Sequence, residues 1–382
     1  MLKVFIYLLL FLLPTQLGKH FWFDFSYKLG QRVDYLSPTI YFTDLLIFLI
    51  LIVYVIKKRN FQPKAGQPLA EKIKNLPIFL IIITSFFLYW ILVIKENPYL
   101  LSYNLIKLIE FVLLGYIIAR TFKKTDFPHI IKVLNLSLAI QVFLALYQVI
   151  VEKSAGLWII GERQFSISTP GIAKFVALGG HQLLRGYGTF PHPNVLAGFC
   201  LLLLVANRKN LIGSFLALLG ILLSFSLLAW GLALVFLAYR YLRSPKLLMI
   251  LPLLLVFFRG ESVSRRIALL SIAWELFKKS PIFGVGLGNF IPSMPNQAFD
   301  KIYFWQPVHN IFVLVAAETG IIGLFLLIYL VWKFFPRSKI LVGWWLVILI
   351  TGLFDHYWLT LQQGRLMLVL VAGLTVGYNR KS

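Results

Sequence analysis

The chain has 382 residues, 59% of them hydrophobic and 13% charged, and a mean hydropathy of +0.83. Soluble domains carry about 25% charged residues, so this composition excludes an ordinary soluble domain and points to a polytopic helical membrane protein; the alternating segments of a membrane β-barrel do not dominate. A net charge of +23 would suit a nucleic-acid binder in a soluble chain, but here lysines and arginines cluster in short loops between apolar runs, where they fix orientation.

In chain order, Met1 to Leu13 has Lys3 followed by ten apolar residues. No small-x-small cleavage site follows, Pro14-Thr15-Gln16-Leu17 coming instead, so the stretch reads as a short first span, with a cleaved signal as the alternative. Twelve spans are predicted, at roughly 2–14, 40–56, 76–94, 104–119, 128–151, 191–206, 210–225, 227–240, 246–258, 309–334, 340–354 and 365–378. One alternating set of short loops, with both termini, holds 21 of the 37 Lys and Arg residues and is therefore cytoplasmic. The remaining 16 lie on the other side, in 14–39, 95–107, 152–190, 259–308 and 355–365. The expectation is an all-α protein with a single membrane domain over 1–382, a first outer loop at 152–190 and a large outer loop at 259–308. The 15–39 segment is aromatic-rich, as suits a membrane interface. Cys200, the single cysteine, lies in an apolar run; an intramolecular disulfide and a cysteine metal cluster are excluded.

The first outer loop runs through Arg185-Gly186-Tyr187-Gly188-Thr189-Phe190-Pro191-His192-Pro193-Asn194 into span six. Pro193 suits a first helical turn. Arg185 therefore sits by a helix N-terminus whose free N–H groups attract anions. The reading is a phosphate clamp or, equally, an arginine reaching for lipid headgroups.

The large loop begins with an amphipathic helix from about Ser264. Arg266, Leu270, Ala273, Trp274 and Phe277 share one face at helical spacing and are expected to pack inward. Arg265 and Arg266 in a first turn would oppose the helix dipole, by about 0.3–1 kcal/mol each at a surface. A bound anion would offset that, because a guanidinium fork suits phosphate; the alternative is a pair that is solvated or bound to lipid headgroups. After Pro281, Gly284-Val285-Gly286-Leu287-Gly288 departs from a dinucleotide fingerprint and reads as a tight loop whose N–H groups could face a ligand.

His309-Asn310 opens span ten, where an imidazole can act as base or donor. Glu318 lies well inside that span and must be protonated, paired or beside a wet cavity. Glu110 with Lys107, and Asp355 with His356, are weaker candidates of the same kind. The histidines and carboxylates show no metal-ligand spacing, and no G-x-S-x-G, H-E-x-x-H or Walker A motif is present. The expected energy source is a preactivated substrate, with no cofactor.

The ordered set Arg185-Gly186-x-Gly188-Thr189-Phe190-x-His192-Pro193-Asn194, Arg266 before Pro281-Ile282-Phe283-Gly284-Val285-Gly286-Leu287-Gly288-Asn289-Phe290, and His309-Asn310 before Glu318-Thr319-Gly320 resembles the bacterial O-antigen ligase and O-antigen polymerase family. The resemblance covers about 180–330. It implies a GT-C-like fold in the inner membrane with a periplasm-facing site. It further implies a metal-independent glycosyltransferase that takes a glycan from undecaprenyl diphosphate to lipid A-core or a similar acceptor. On this reading Arg185 and Arg266 hold the diphosphate and His309 activates or orients the acceptor hydroxyl. Arg265, His192, Asn194, Gly286, Gly288, Asn310 and Glu318 complete the binding site. An O-antigen polymerase or a protein O-oligosaccharyltransferase fits the same motifs. A secondary transporter or lipid flippase would call for an internal repeat and mid-membrane charges on broken helices; no repeat is found. Relatives often carry Ser-Arg-Gly-Ala near span eight, where this chain has Ser226-Leu227-Leu228-Ala229.

Overall fold

The structure, a computed structural model, describes residues 1–59, 97–177, 179–242 and 261–379. The expected spans 76–94 and 246–258 lie outside the described residues. So do Arg259-Gly260 at the start of the large loop, the loop cations Lys64, Lys72, Lys74, Arg243 and Lys246, and the terminal Arg380-Lys381.

The other ten expected spans are helical. They are α1 (Leu2–Phe11), α2 (Phe42–Arg59), α3 (Pro98–Thr121), α4 (Phe127–Val151), α5 (Pro193–Ala206), α6 (Leu211–Leu223) and α7 (Leu227–Leu242), then α9 (Ile311–Lys333), α10 (Lys339–Gly352) and α12 (Gln362–Asn379). The loop helix α8 spans Glu261–Lys279, and a single turn, α11, spans Tyr357–Thr360. Pro98–Thr121, Lys124–Val151 and Ile311–Lys333 are long and apolar enough to cross a membrane, and five shorter helices are apolar. This is consistent with a helical membrane protein.

Local sequence sets the helix starts. Asn97 accepts from Leu100 N at 3.0 Å ahead of Pro98, and Asn210 accepts from Gly213 N at 3.1 Å. Asn310 accepts from Phe312 N at 2.9 Å and Val313 N at 3.1 Å. Each satisfies amides that a helix leaves without intrahelical partners. The most extensive helix contact is α3 against α12, where Gly373 and Gly377 face the backbone of Gly115 and Ala119. Small residues at such a seam let two backbones approach.

The loops are not wholly irregular. β1 (Gly18–His20) pairs antiparallel with β4 (Thr39–Tyr41), and β2 (Tyr27–Lys28) with β3 (Gln31–Arg32). β5 (Lys174–Val176) pairs with β6 (Gln182–Leu184), so the all-α expectation holds for the helix layer and not for its loops. A main apolar core joins the helices. A separate core under the large loop joins Leu269, Ala273 and Leu276 of α8 to Val285, Phe290, Trp305, Leu314 and Ala317. A small one, Phe165, Ile172, Leu184 and Tyr187, supports the first loop.

Two expectations about α8 need correction. Its buried face is Leu269, Ala273 and Leu276, whereas Leu270 and Trp274 are exposed. The helix also begins at Glu261, so Arg265 and Arg266 fall in its second turn, where the dipole penalty has largely faded.

Helix α9 breaks at Gly320 (φ 66°, ψ −165°), and the glycine loop fills the break. Val285 N donates to Ala317 O at 3.0 Å, Gly286 N to Glu318 O at 2.8 Å, and Ile321 N to Pro281 O at 2.8 Å. Gly284 has φ +71°, and a Cβ there would overlap the backbone of Glu318 and Thr319. Gly284→Ala is therefore expected to destabilise the fold by about 2 kcal/mol or more, combining left-handed strain with overlap. Thermal unfolding of the detergent-solubilised protein measures it; an unchanged midpoint would refute this account of the loop.

Candidate active site

The first loop is aimed by two buried glutamines of α4. Gln148 Oε1 accepts from Tyr187 N and Gly188 N, each at 2.9 Å, and Gln141 Oε1 accepts from Thr189 N at 2.7 Å. Gly186 N donates to Leu223 O at 2.8 Å. Arg185 is thereby fixed over the end of α6: Nε donates to Ser224 O at 2.7 Å and Nη2 to Asn194 Oδ1 at 2.7 Å. Asn194 Nδ2 in turn donates to Asp355 Oδ2 at 2.7 Å. His192 caps α5, its Nδ1 accepting from Asn194 N at 3.1 Å, so Nε2 carries its ring proton.

From the large loop, Arg266 Nη1 donates to Phe354 O at 2.8 Å, next to Asp355. His309 Nδ1 lies 3.5 Å from Asp355 Oδ1, an ion-pair distance and longer than a well-formed hydrogen bond. The His309 and His356 rings are 5.0 Å apart. His356 N donates to Asp355 Oδ1 at 2.8 Å. Asp355 thus links Arg185, through Asn194, with Arg266 and His309. The sequence signal for it is only an Asp-His pair between apolar runs, and its partners lie as far as 161 positions away.

Electrostatics follow from this burial. Burial lowers the Arg185 pKa to about 10, so its charge persists at neutral pH. Burial likewise lowers Arg266, opposed by Asp355. For Asp355 burial alone would raise the pKa, but the His309 imidazole outweighs it and holds the carboxyl well below the usual range. His192 and His356 are pushed down to about 3, first by burial and then by neighbouring positive groups, which leaves both neutral.

Arg185, Arg266 and His309 line one cavity of about 1690 Å³, together with Arg265, His192, Asn194, Gly288 and Glu318. Its walls continue into an apolar cleft between Val112 and Gly115 of α3, Leu326 and Leu330 of α9, and Val369 and Ala372 of α12. Glu318 is buried and accepts from Phe290 N at 3.3 Å. Gly286 and Asn310 do different work from that expected: the Gly286 amide is taken up by Glu318 O, and Asn310 caps α9 while donating to Leu353 O at 3.2 Å. A second cavity of about 440 Å³ shares Lys174, Arg185, Asn194 and Arg266. Leu227, Leu228 and Ala229, the stretch where relatives often carry arginine, form its apolar wall. Phe225 beside them has φ 46°, a strained backbone for an aromatic residue.

Among the described residues, His309, Asp355 and His356 could hold a cation, with donor atoms within 4.8 Å of one another. Yet His356 Nδ1 is engaged with Thr360 Oγ1 at 2.7 Å, and both Asp355 oxygens have protein partners. Arg266 adds positive charge beside them. The arrangement is better matched to an anion outside the arginines than to a cation inside.

No curated protein matches the chain. Residues 194–328 match the family model described as O-antigen ligase. That segment runs from the Asn194 that joins Arg185 to Asp355, through Arg266 and the glycine loop, to beyond His309 and Glu318, and the match supports the O-antigen ligase and polymerase family over that part of the chain.

Proposed function

We propose that the protein is a glycosyltransferase of the ligase type. It moves a glycan from undecaprenyl diphosphate to lipid A-core or a similar acceptor at the periplasmic face of the inner membrane. The twelve-span topology with both termini cytoplasmic belongs to this reading. One observation carries it: a single cavity joins two half-buried guanidiniums and an imidazole to an apolar cleft between helices. A polyprenyl diphosphate has that same division, a dianionic head on a hydrocarbon tail.

In this mechanism the acceptor hydroxyl attacks the anomeric carbon while the bond from that carbon to the diphosphate oxygen breaks. The hydroxyl proton passes to His309, and Arg185 and Arg266 stabilise the charge that gathers on the departing diphosphate. Asp355, facing His309 Nδ1, holds the proton of the ring on that nitrogen and leaves Nε2 as the acceptor. The same site would serve a polymerase or a protein O-oligosaccharyltransferase, which differ only in acceptor.

Purified protein in nanodiscs, given lipid-linked glycan and lipid A-core, is expected to yield glycosylated acceptor and free undecaprenyl diphosphate. Transfer is expected to continue in EDTA at an undiminished rate. A strict divalent-ion requirement would move the chemistry onto a metal and contradict the role given to the arginines. Absence of transfer to any lipid, glycan or protein acceptor would favour a transporter.

A further inference from the structure

The helices of this protein differ in length in a patterned way. Helices α5, α6, α7 and α10 have 14, 13, 16 and 14 residues, whereas α3 has 24. At a helical rise of 1.5 Å per residue the first group reaches about 20–24 Å and α3 about 36 Å, against a bilayer core of about 30 Å. Their basic ends lie at one level. A Cβ on Gly377 of α12 would meet Ala119 of α3, Trp345 Nε1 of α10 donates to Thr375 Oγ1 of α12 at 3.1 Å, and a Cβ on Gly343 of α10 would meet Val205 of α5. Arg120 and Arg208 therefore stand level, and the difference in length falls at the other end, where the site is.

Ile106 is fourteen positions from Arg120, and Asn194 is fourteen from Arg208, so both stand about 21 Å above the basic ends. On the α3 flank, apolar surface continues past Ile106, 65% exposed, to Tyr99, which stacks on Phe25 at 6.2 Å. With exposed Phe23 these rings form an aromatic belt about 31 Å above Arg120, where a bilayer of ordinary thickness ends.

The α6–α7 flank stops lower. Its exposed apolar stripe, Ile212, Phe215 and Leu222, leads up to the turn at Phe225. On that turn stands the β5–β6 hairpin, with Phe175 stacked on Phe225 at 4.9 Å and tilted against Trp230 at 6.0 Å. Strand β6 runs directly into Arg185, which is bonded to Asn194, so the hairpin begins at the height of Ile106. Hydrocarbon cannot surround it there. A two-stranded sheet has two edges of backbone N–H and C=O groups, and lipid chains satisfy neither. Lys174, His181 and Gln182 are also exposed on it.

We propose that the α6–α7 flank is a lipid-binding surface on which the bilayer is about 10 Å thinner than at α3, with phospholipid headgroups seated against the β5–β6 hairpin at the height of Lys174 and Arg185. Short spans impose such thinning on their surroundings. Lipid is the occupant because the stripe below the hairpin is the outward face of a spanning helix. The consequence is access. The smaller cavity, lined by Lys174, Val176, Leu227 and Leu228, lies on this flank and reaches Arg185 and Arg266. A lipid-borne polar group in the thinned region is level with those guanidiniums without leaving its leaflet.

Depth-dependent quenching tests the proposal. Val176 and Ile106 are 61% and 65% exposed. Val176→Cys and Ile106→Cys, each in a Cys200→Ala background, carry bimane in dioleoyl phosphatidylcholine vesicles. At Val176 a headgroup-nitroxide lipid is expected to quench at least threefold more than a mid-chain doxyl lipid, and at Ile106 the order is expected to reverse, both at the unfolding midpoint of the Cys200→Ala parent. Stronger mid-chain quenching at Val176 would place the hairpin in hydrocarbon, and no quenching there by either lipid would place it away from lipid; each overturns the proposal. Headgroup quenching of equal strength at Ile106 would overturn it too, by making the thinning general. Wild-type protein supplies a check that needs no substitution. In nanodiscs the backbone amides on the hairpin edges are expected to exchange with deuterium as fast as in detergent, and protection that appears only in nanodiscs would contradict the proposal. None of these readouts involves glycan transfer, so their failure leaves the proposed activity standing, and absence of transfer leaves the thinned flank standing.

Discussion

Arg266→Ala is expected to lower kcat/KM for glycan transfer by about 10²–10³, the usual loss when one preorganised donor to developing charge is removed. Arg266 is half-buried, anchored through Nη1 to Phe354 O, and it lines the cavity that Arg185 and His309 also line. Its guanidinium is therefore held beside the position proposed for the leaving diphosphate. That group gains negative charge as its bond to the sugar breaks, so the loss should fall mainly on kcat and less on KM. Arg266→Lys keeps the charge but loses the planar fork, and should recover only part of the rate. Folding is a separate question, because α8 also contributes Leu269, Ala273 and Leu276 to a core that Arg266 does not enter. The measurement is initial rate against donor concentration, with an unfolding midpoint on the same preparation. Wild-type kcat in a well-folded Arg266→Ala protein would remove the leaving-group clamp.

Much of the helix layer is legible in the sequence because a bilayer imposes length and apolarity on each span. Ten predicted segments coincide with helices, and Asn97-Pro98, Asn210 and Asn310 announce their starts through capping chemistry. Arg185, Arg266 and His309 can be singled out because each interrupts or borders an apolar run. What periodicity does not supply is direction. In α8 both Leu269–Ala273–Leu276 and Ile267–Leu270–Trp274 form apolar stripes, and only the fold decides which meets protein. A soluble helix rarely poses this choice; one lying near lipid does.

The glycine loop misleads for a related reason. Free amides at Val285 and Gly286 look available to a ligand, yet the break at Gly320 strands carbonyls in α9 that must be satisfied, and those amides satisfy them. A helix break caused by a glycine 34 positions downstream leaves no mark in the loop itself. Asp355 is similarly faint. Its importance comes from Asn194, Arg266 and His309 converging on it from three other segments, and no local spacing encodes that.

Asp355→Asn is expected to cost about 10²–10⁴ in kcat, the range for loss of a correctly held general base. On the proposed mechanism, Asp355 keeps the ring proton of His309 on Nδ1 and leaves Nε2 to accept one. An asparagine can turn its own N–H toward Nδ1 and impose the other tautomer, although the carbonyl of the new amide can still accept from Asn194. The substitution also removes a negative charge that favours the half-buried guanidiniums of Arg185 and Arg266, so the unfolding midpoint should fall as well. The two effects separate through pH. The folded Asp355 pKa is depressed, so its stabilisation is fully present above the ordinary aspartate value of about 3.9 and is lost as pH falls through the lower folded value. In the wild type the Asp355 contribution should therefore be lost below about pH 4, and in Asp355→Asn that part of the drop should vanish. His192 and His356, held neutral in the fold, lower the midpoint of both proteins as pH falls below the ordinary histidine value of about 6.5, because only their unfolded rings take up protons there. A mutant that keeps the full wild-type kcat would detach the carboxylate from His309, and one whose midpoint falls as steeply as the wild type below about pH 4 would show that another group produces that part of the drop.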